Sequence, residues 1–244
     1  MKSFIHIQPG VLVIYGSVLD NDWHQHNAIQ IIWPESDYEL ALDGVISHQA
    51  SIINSEIKHR INMIQGWVML VEPQSQLGES LQSKLLHKDY LEIANLSSFI
   101  PKEDVVLLEQ IQPVLKALSL EKFIDQQQVS AQLDPRLQIL QLKLNQCLAG
   151  ECIKPDHWKA RTVAEEMGLS EGRFLHLFKE QMHIAWRPYL LWRRLLCAIN
   201  ALQKGSSVTE AAYAAGFSDS AHLSRTFRNN FGMNIRQAGQ ALLK

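Results

Sequence analysis

The last third of the chain contains the same short pattern twice. Residues 163–170 read VAEEMGLS and residues 211–218 read AAYAAGFS, so a small residue, a glycine and a serine recur at an offset of 48 positions. This order is typical of a helix-turn-helix: the small residue lets two helices approach, the glycine can adopt a positive φ, and the serine can cap the next helix. Aromatic and basic residues follow both copies, at 174–179 and 223–228. The repeat therefore predicts two helix-turn-helix units, whose second helices could enter two grooves of one DNA duplex.

Charge is divided unevenly along the 244 residues. Residues 131–244 hold 15 Lys and Arg against 9 Asp and Glu, a net charge of +6, whereas residues 1–130 hold 8 against 16, a net charge of −8. An acidic front half and a basic back half are what a regulatory domain joined to a nucleic-acid-binding domain would show. Chance segregation of charge is the alternative, and the charge alone does not decide between them.

The cysteines and the amino terminus indicate a cytoplasmic protein. Cys147, Cys152 and Cys197 are odd in number and form no CxxC pair, and residues 1–6 lack the apolar core of a signal peptide. No apolar run is long enough to cross a bilayer, so we expect no membrane partner.

Short alternating apolar runs dominate residues 4–72, and turn-forming residues separate them. The pattern predicts a small β-sandwich or barrel, with Asp43-Gly44 as a hairpin turn. The predicted strands lie at 11–15, 28–33, 38–42, 50–53 and 68–71.

Helical periodicity begins after Gln76, and the polar stretch 125–130 resembles a linker. We therefore predict domains at 1–130 and 131–244. A helix from Asp104 to Leu118 would carry an apolar stripe, which either forms a dimer interface or packs on its own barrel. The stripe consists of Val105, Leu108, Ile111, Leu115 and Leu118.

The second domain contains helical patterns alone. Its longest helix, 185–203, ends before a capping Gly205 and would span about 28 Å, close to the roughly 34 Å between successive major-groove faces. The other predicted helices lie at 134–149, 158–167, 170–181, 208–215, 219–231 and near Arg236.

Residues 134–237 resemble the AraC/XylS family of bacterial transcription regulators. The match is densest at 212–232, and the 185–203 helix also fits the family's linker helix. Two departures, Asn234-Ile235 and Ala238-Gly239, affect the last helix. The positions in the densest block that fit the family signature are Gly216, Phe217, Ser218, Asp219, Ser220, Leu223, Arg225, Phe227, Arg228 and Gly232.

Helical spacing separates core from groove-facing positions in the two units. Phe174, Leu177 and Phe178, and then Leu223 and Phe227, fall on the core faces. The opposite faces coincide with the positions that read DNA in the resembled family. The DNA-binding candidates are Glu171, Gly172, Leu175, His176, Lys179, Arg193, Ser220, Ala221, Ser224, Arg225 and Arg228.

Individual roles follow from side-chain chemistry. Arg225 can grip a guanine edge or contact a phosphate, and His176 is either a base reader or a solvated surface residue. Lys179, Arg193 and Arg228 are candidate phosphate contacts, and for Arg194 an ion pair inside the protein competes with that role.

Histidines in the front half resemble the metal motif of cupin barrels, and regulators of the resembled family commonly carry a cupin-like sensor there. His24, His26 and His59 fit that motif, but Gln30 stands where the acidic ligand is expected. A neutral amide beside neutral imidazoles does not offset an ion's charge, so we expect no metal and no cofactor, and instead a small-molecule pocket. The expected lining is Trp23, His24, His26, Gln30, Trp33 and His59.

The sequence thus predicts an α+β protein: an N-terminal cupin-like β-barrel followed by an all-α domain with two helix-turn-helix motifs. The predicted function is that of a sequence-specific regulator which binds double-stranded DNA and responds to a small-molecule effector. The alternatives are a metal-dependent cupin enzyme fused to a DNA-binding domain and a regulator without a ligand. A homodimer is expected, and RNA polymerase is a further candidate partner.

Overall fold

The computed structural model describes residues 4–93, 107–120, 133–149 and 158–242. The chain divides into two compact units, Met1–Gln127 with Ser224–Lys244, and Gln128–Leu223. The first division lies close to the predicted boundary at 130. Residues 224–244, predicted to belong to the helical domain, group with the strands. The predicted linker at 125–130 lies outside the described residues, so the domain division at 130 stays a prediction.

Eight strands in the described part of the first unit form one antiparallel sheet. The long strand β7 pairs with β2 along one edge, and with β3 and then β4 along the other. The described pairings run β1-β2-β7-β3-β6-β8, with β5 added to β4, and the two ends of that path do not pair. The predicted barrel is therefore an open sheet over the described residues. The strands are β1 (Phe4–Gln8), β2 (Val11–Asp20), β3 (Ile29–Pro34), β4 (Tyr38–Leu42), β5 (Val45–Ser47), β6 (Ser51–Ile53), β7 (Arg60–Val71) and β8 (Tyr90–Glu92).

Alternation along the strands determines what each face of the sheet meets. Ile29, Ile31 and Trp33 of β3 face a core built with two helices, α1 (Gln76–Leu85) and α2 (Leu107–Ala117). Because successive side chains of a strand point to opposite faces, Gln30 lies on the other side of the sheet.

The predicted stripe on α2 is part of this core. Ile111, Leu115 and Leu118 are buried in it, which agrees with the predicted alternative that the stripe packs on its own domain. Val105 and the side chain of Leu108 lie outside the described residues.

Helices make up the described part of the second unit and of residues 224–242. The longest, α6, has 18 residues, and its apolar side chains pack with those of α3 and α5 around Trp186. Within the described ranges, no helix is both long and apolar enough to cross a membrane. The helices are α3 (Pro135–Ala149), α4 (Ala160–Glu166), α5 (Glu171–Met182), α6 (Trp186–Gln203), α7 (Val208–Ala214), α8 (Ser220–Phe231) and α9 (Ile235–Leu242).

Candidate DNA-binding surface and histidine site

The first helix-turn-helix consists of α4 and α5. Gly168 has φ of +66°, and the Ser170 side chain accepts a hydrogen bond of 3.3 Å from the Arg173 amide, so turn and cap follow the sequence pattern. Phe174 and Phe178 are fully buried, and the Phe178 ring meets that of Trp186 edge-on at 5.0 Å. The apolar face of α5 thus fixes its position against α6.

The opposite face of α5 carries the predicted DNA contacts. Glu171, Gly172, His176 and Lys179 are exposed. Leu175 is half-buried and packs against the core, so less of it can reach a base than the sequence suggested. His176 Nδ1 lies 3.6 Å from a Glu180 carboxylate oxygen, which offers the ring a partner within the protein.

The second helix-turn-helix consists of α7 and α8. Ser207 and Glu210 form a capping box at the start of α7, and Gly216 has φ of +84°. The cap of α8 differs from the prediction: Asp219 Oδ1, and not Ser218, accepts from the His222 amide at 2.7 Å. Ser218 instead donates its hydroxyl to Asp219 Oδ2 at 3.0 Å. Both residue types are good caps, so the sequence could not choose between these neighbours.

The residues of α8 that are predicted to contact DNA differ in their exposure. Ala221, Arg225 and Arg228 are exposed, and Ser220 and Ser224 are half-buried. Leu223 and Phe227 are buried, as their spacing predicted. Arg228 also forms an ion pair of 2.8 Å with Asp22, a residue 206 positions away that was not among the predicted site residues.

Arg193 does not belong to a DNA-binding surface. Its side chain is 4% exposed, donates a hydrogen bond of 2.9 Å to Asn145 Oδ1 on α3, and lies 6.0 Å from the centre of the Tyr189 ring. The predicted phosphate contact is therefore corrected: the guanidinium joins two helices. Its spacing of four residues from buried Tyr189 could have indicated this. Arg194 beside it is half-buried, and burial lowers the pKa of its guanidinium.

Three histidines and Gln30 meet on the face of the sheet opposite the helices. His24 and His59 exchange backbone hydrogen bonds of 3.0 and 2.9 Å, which places their rings 4.3 Å apart, and His26 lies 5.4 Å from His59. All four side chains are buried. The two predicted tryptophans are elsewhere: Trp23 is 45% exposed beside Lys58, and Trp33 lies on the opposite face.

Each histidine is anchored through Nδ1 to a backbone carbonyl. The distances are 2.9 Å from His24 to Asp22, 3.0 Å from His26 to Ala28, and 2.8 Å from His59 to Ile57. A carbonyl oxygen can only accept, so Nδ1 carries the proton and donates it.

The rings are uncharged because charge is costly in this environment. Burial, and next the neighbouring His26, lower the pKa of His24 to about 4. Burial, and next His24 and His26, lower the pKa of His59 to about 2, and burial also lowers the pKa of His26. A neutral imidazole protonated at Nδ1 has a free electron pair at Nε2.

Gln30 holds the centre of the cluster. Its Oε1 lies 2.8 Å from His26 Nε2 and 3.2 Å from His59 Nε2. Oxygen and unprotonated nitrogen are both acceptors, so the arrangement needs either a cation between them or the amide NH₂ turned towards the rings. One nitrogen of each histidine ring lies within 4.8 Å of a ring nitrogen of the other two. Histidines that bind metals usually donate their second ring N–H to a carbonyl or carboxylate, as these three donate Nδ1–H to backbone carbonyls. The donor set therefore fits a divalent transition metal.

A separate open cleft lies beside β4. Its volume is about 670 Å³, which is in the range of small-molecule sites. The lining residues are Ser36, Asp37, Tyr38, Glu39, His48, Asn62 and Ile64.

Comparison with known proteins identifies the helical region. Residues 163–240 match a family model described as a helix-turn-helix domain. The transcriptional activator RhaS of Escherichia coli O139:H28 is 38% identical over 85 residues, which are 34% of this chain and 30% of RhaS. The virulence regulon transcriptional activator VirF of Yersinia enterocolitica is 33% identical over 82 residues, 33% of this chain and 30% of VirF. The chain thus spans about a third of these relatives.

The fold of the whole chain resembles that of a solved regulator structure. The apo form of a ToxT point variant from Vibrio cholerae superposes with a TM-score of 0.54 at 13% identity, covering 96% of this chain and 98% of ToxT. Wild-type ToxT with bound unsaturated fatty acid gives 0.51 at 14% identity, covering 94% of both chains. This likeness confirms the predicted α+β fold, with a sheet-rich front and a helical C-terminal part. The match to the family model shows that residues 163–240 form a helix-turn-helix domain.

Proposed function

We propose that the protein is a non-enzymatic transcription regulator that acts in the cytoplasm, binds double-stranded DNA and responds to a ligand of its front unit. The duplicated helix-turn-helix carries the proposal. Both copies have their turn glycine in a positive φ and their aromatic residues buried, which leaves one face of α5 and one of α8 for DNA. The activators RhaS and VirF, which match this region, support it.

Exposed cations on α5 and α8 would contribute to DNA binding in two ways, by contacting phosphates and by reading a base. Lys179 on α5 and Arg228 on α8 would contact phosphates and so provide affinity without sequence information. Arg225, exposed on α8, would read a guanine edge. On α5, His176 is the best base reader, since Glu171 repels phosphate and Gly172 has no side chain.

Selection of binding sites from random DNA with the full chain tests the proposal. We expect an enriched site that spans two major grooves, with an affinity that falls steeply as salt is raised. Arg225→Ala should weaken binding, whereas Lys116→Ala, which removes an exposed cation from α2 outside the helix-turn-helix region, should not. Failure to enrich any site would contradict DNA recognition by this chain.

The histidine site provides a second candidate function, that of a metal sensor. Three neutral imidazoles with fixed tautomers and the Gln30 oxygen converge in a buried space. The ring centres are only 4.3 to 5.7 Å apart, a spacing that suits a single ion and not an organic effector. Three neutral histidines are a known ligand set for zinc even without a carboxylate, so Gln30 in place of an acidic residue does not exclude an ion here. We therefore favour a zinc-class ion here over the metal-free pocket expected from the sequence.

Titration of purified protein with Zn²⁺ or Ni²⁺ distinguishes a metal site from a metal-free pocket at the histidine cluster. We expect one ion per chain, loss of binding in His59→Ala, and tighter binding in Gln30→Glu, which adds an anionic ligand. His48→Ala is the matched control, because His48 is an exposed histidine outside the cluster. Absence of binding at micromolar metal would return the sensor role to a small molecule, for which the cleft beside β4 is the candidate site.

An organic molecule is the other ligand class to test, since wild-type ToxT has been solved with a bound unsaturated fatty acid. A homodimer and a contact with RNA polymerase also stay proposals. Light scattering of the full chain tests the first, and the burial of Ile111 and Leu115 means that a dimer would need a surface other than the α2 stripe.

A further inference from the structure

The C-terminal end of α8 is attached to the sheet within the first compact unit. The Asp22 amide donates a hydrogen bond of 2.8 Å to the Gly232 carbonyl, and the Asp22 carboxylate pairs with Arg228 at 2.8 Å. Helix α9, which follows Gly232, packs along β2. One residue of the loop after β2 thus holds α8 through both its backbone and its side chain.

The fit at this point is close enough to require glycine. A Cβ atom on Gly232 would lie 2.3 Å from the Asp22 carbonyl oxygen and 2.7 Å from His24 Nδ1. Gly232 also has φ of +67°, which disfavours other residues. By contrast, a Cβ on Gly44, with φ of +73°, would meet nothing within 4 Å. At Gly232, the chain at the end of α8 therefore packs too closely against the loop after β2 to admit a side chain.

The same aspartate touches the histidine site. Its carbonyl oxygen accepts the hydrogen bond from His24 Nδ1 at 2.9 Å, while its carboxylate holds Arg228. A single residue thus links the buried cluster to a cation of the proposed DNA-binding surface.

We propose that Asp22 is an autoinhibitory lock: it occupies Arg228 and holds the end of α8 on the sheet, so that DNA must displace it. The inference rests on the proposed function, because it assumes that α8 binds DNA. A carboxylate beside a phosphate contact opposes DNA in two ways, since it neutralises the arginine and repels the phosphate. The pair is exposed, with 65% and 70% of the two side chains accessible, so its effect is modest.

Asp22→Asn in the full chain tests the lock. We expect DNA affinity to rise by about two- to fivefold, the range that corresponds to an exposed ion pair. Asp43→Asn is the matched control: it removes the same charge by the same substitution from an exposed residue of the same unit, but it lies in the turn between β4 and β5. Equal affinities of Asp22→Asn and the unmutated protein would overturn the proposal.

Hydrogen exchange gives a second, independent measurement. The Asp22 amide is protected by the Gly232 carbonyl in the free protein, so binding of selected DNA should make this amide exchange faster. Unchanged protection would show that DNA does not open the contact and would also overturn the lock. Failure of the unmutated chain to bind any DNA is a different result, which would refute the proposed function itself.

Discussion

Replacement of Arg193 by alanine should destabilise the helical unit without acting directly on DNA. The buried guanidinium donates to Asn145 Oδ1 at 2.9 Å and lies over the Tyr189 ring. A hydrogen bond to a charged group contributes about 1.5–3 kcal/mol, and the contact with the ring adds about 0.5–1 kcal/mol. Relief from burying the charge offsets part of this sum, so we expect a net loss of about 2–3 kcal/mol.

Thermal unfolding followed by circular dichroism measures the effect. A loss of this size corresponds to a fall of about 4–12 °C in Tm. Arg225→Ala is the control, since it removes an exposed arginine and should leave Tm unchanged. Arg193 would instead be a phosphate contact if Arg193→Ala melted like the unmutated chain while its DNA affinity fell for all sequences and its salt slope dropped by about one.

Three further predictions concern the other sites. Arg225→Ala should weaken specific binding by about 1–3 kcal/mol and relax the preference at one base pair; a uniform loss across sequences in a gel-shift series would make it a phosphate contact instead. Phe178→Ala should cost about 3–5 kcal/mol of stability, since the ring is fully buried, and a variant with unchanged Tm but lost DNA binding would contradict its core position. In metal-free protein, the pKa values of His24 and His59 are lowered, so the unfolded chain takes up more protons than the folded one below about pH 6.5. The free energy of unfolding should therefore be highest above that pH and decrease as the pH falls towards 4. Equal urea midpoints at pH 7.5 and pH 5 would disprove this assignment, and His24→Ala with His59→Ala should flatten the dependence.

Local signals in the sequence were sufficient for the helical region. The helix predicted at 170–181 is found at Glu171–Met182, and the one predicted at 185–203 is found at Trp186–Gln203. Glycine after a helix, a capping residue before one and apolar spacing of three or four act over a single turn, so they can be read without the fold. The hairpin at Asp43-Gly44 was predictable for the same reason.

Tertiary structure alone decided which of these residues meet. The sequence motif predicted His24, His26, Gln30 and His59 as a group, but the anchoring of each Nδ1 to a carbonyl, which leaves the opposite ring nitrogens as acceptors, depends on backbone geometry. Burial of Arg193 depends on Asn145 of another helix. The pairing of Asp22 with Arg228 joins positions 206 apart, and no periodicity extends that far. Sequence determines the faces of helices and strands because those patterns repeat locally, whereas contacts between faces arise only when the chain has packed.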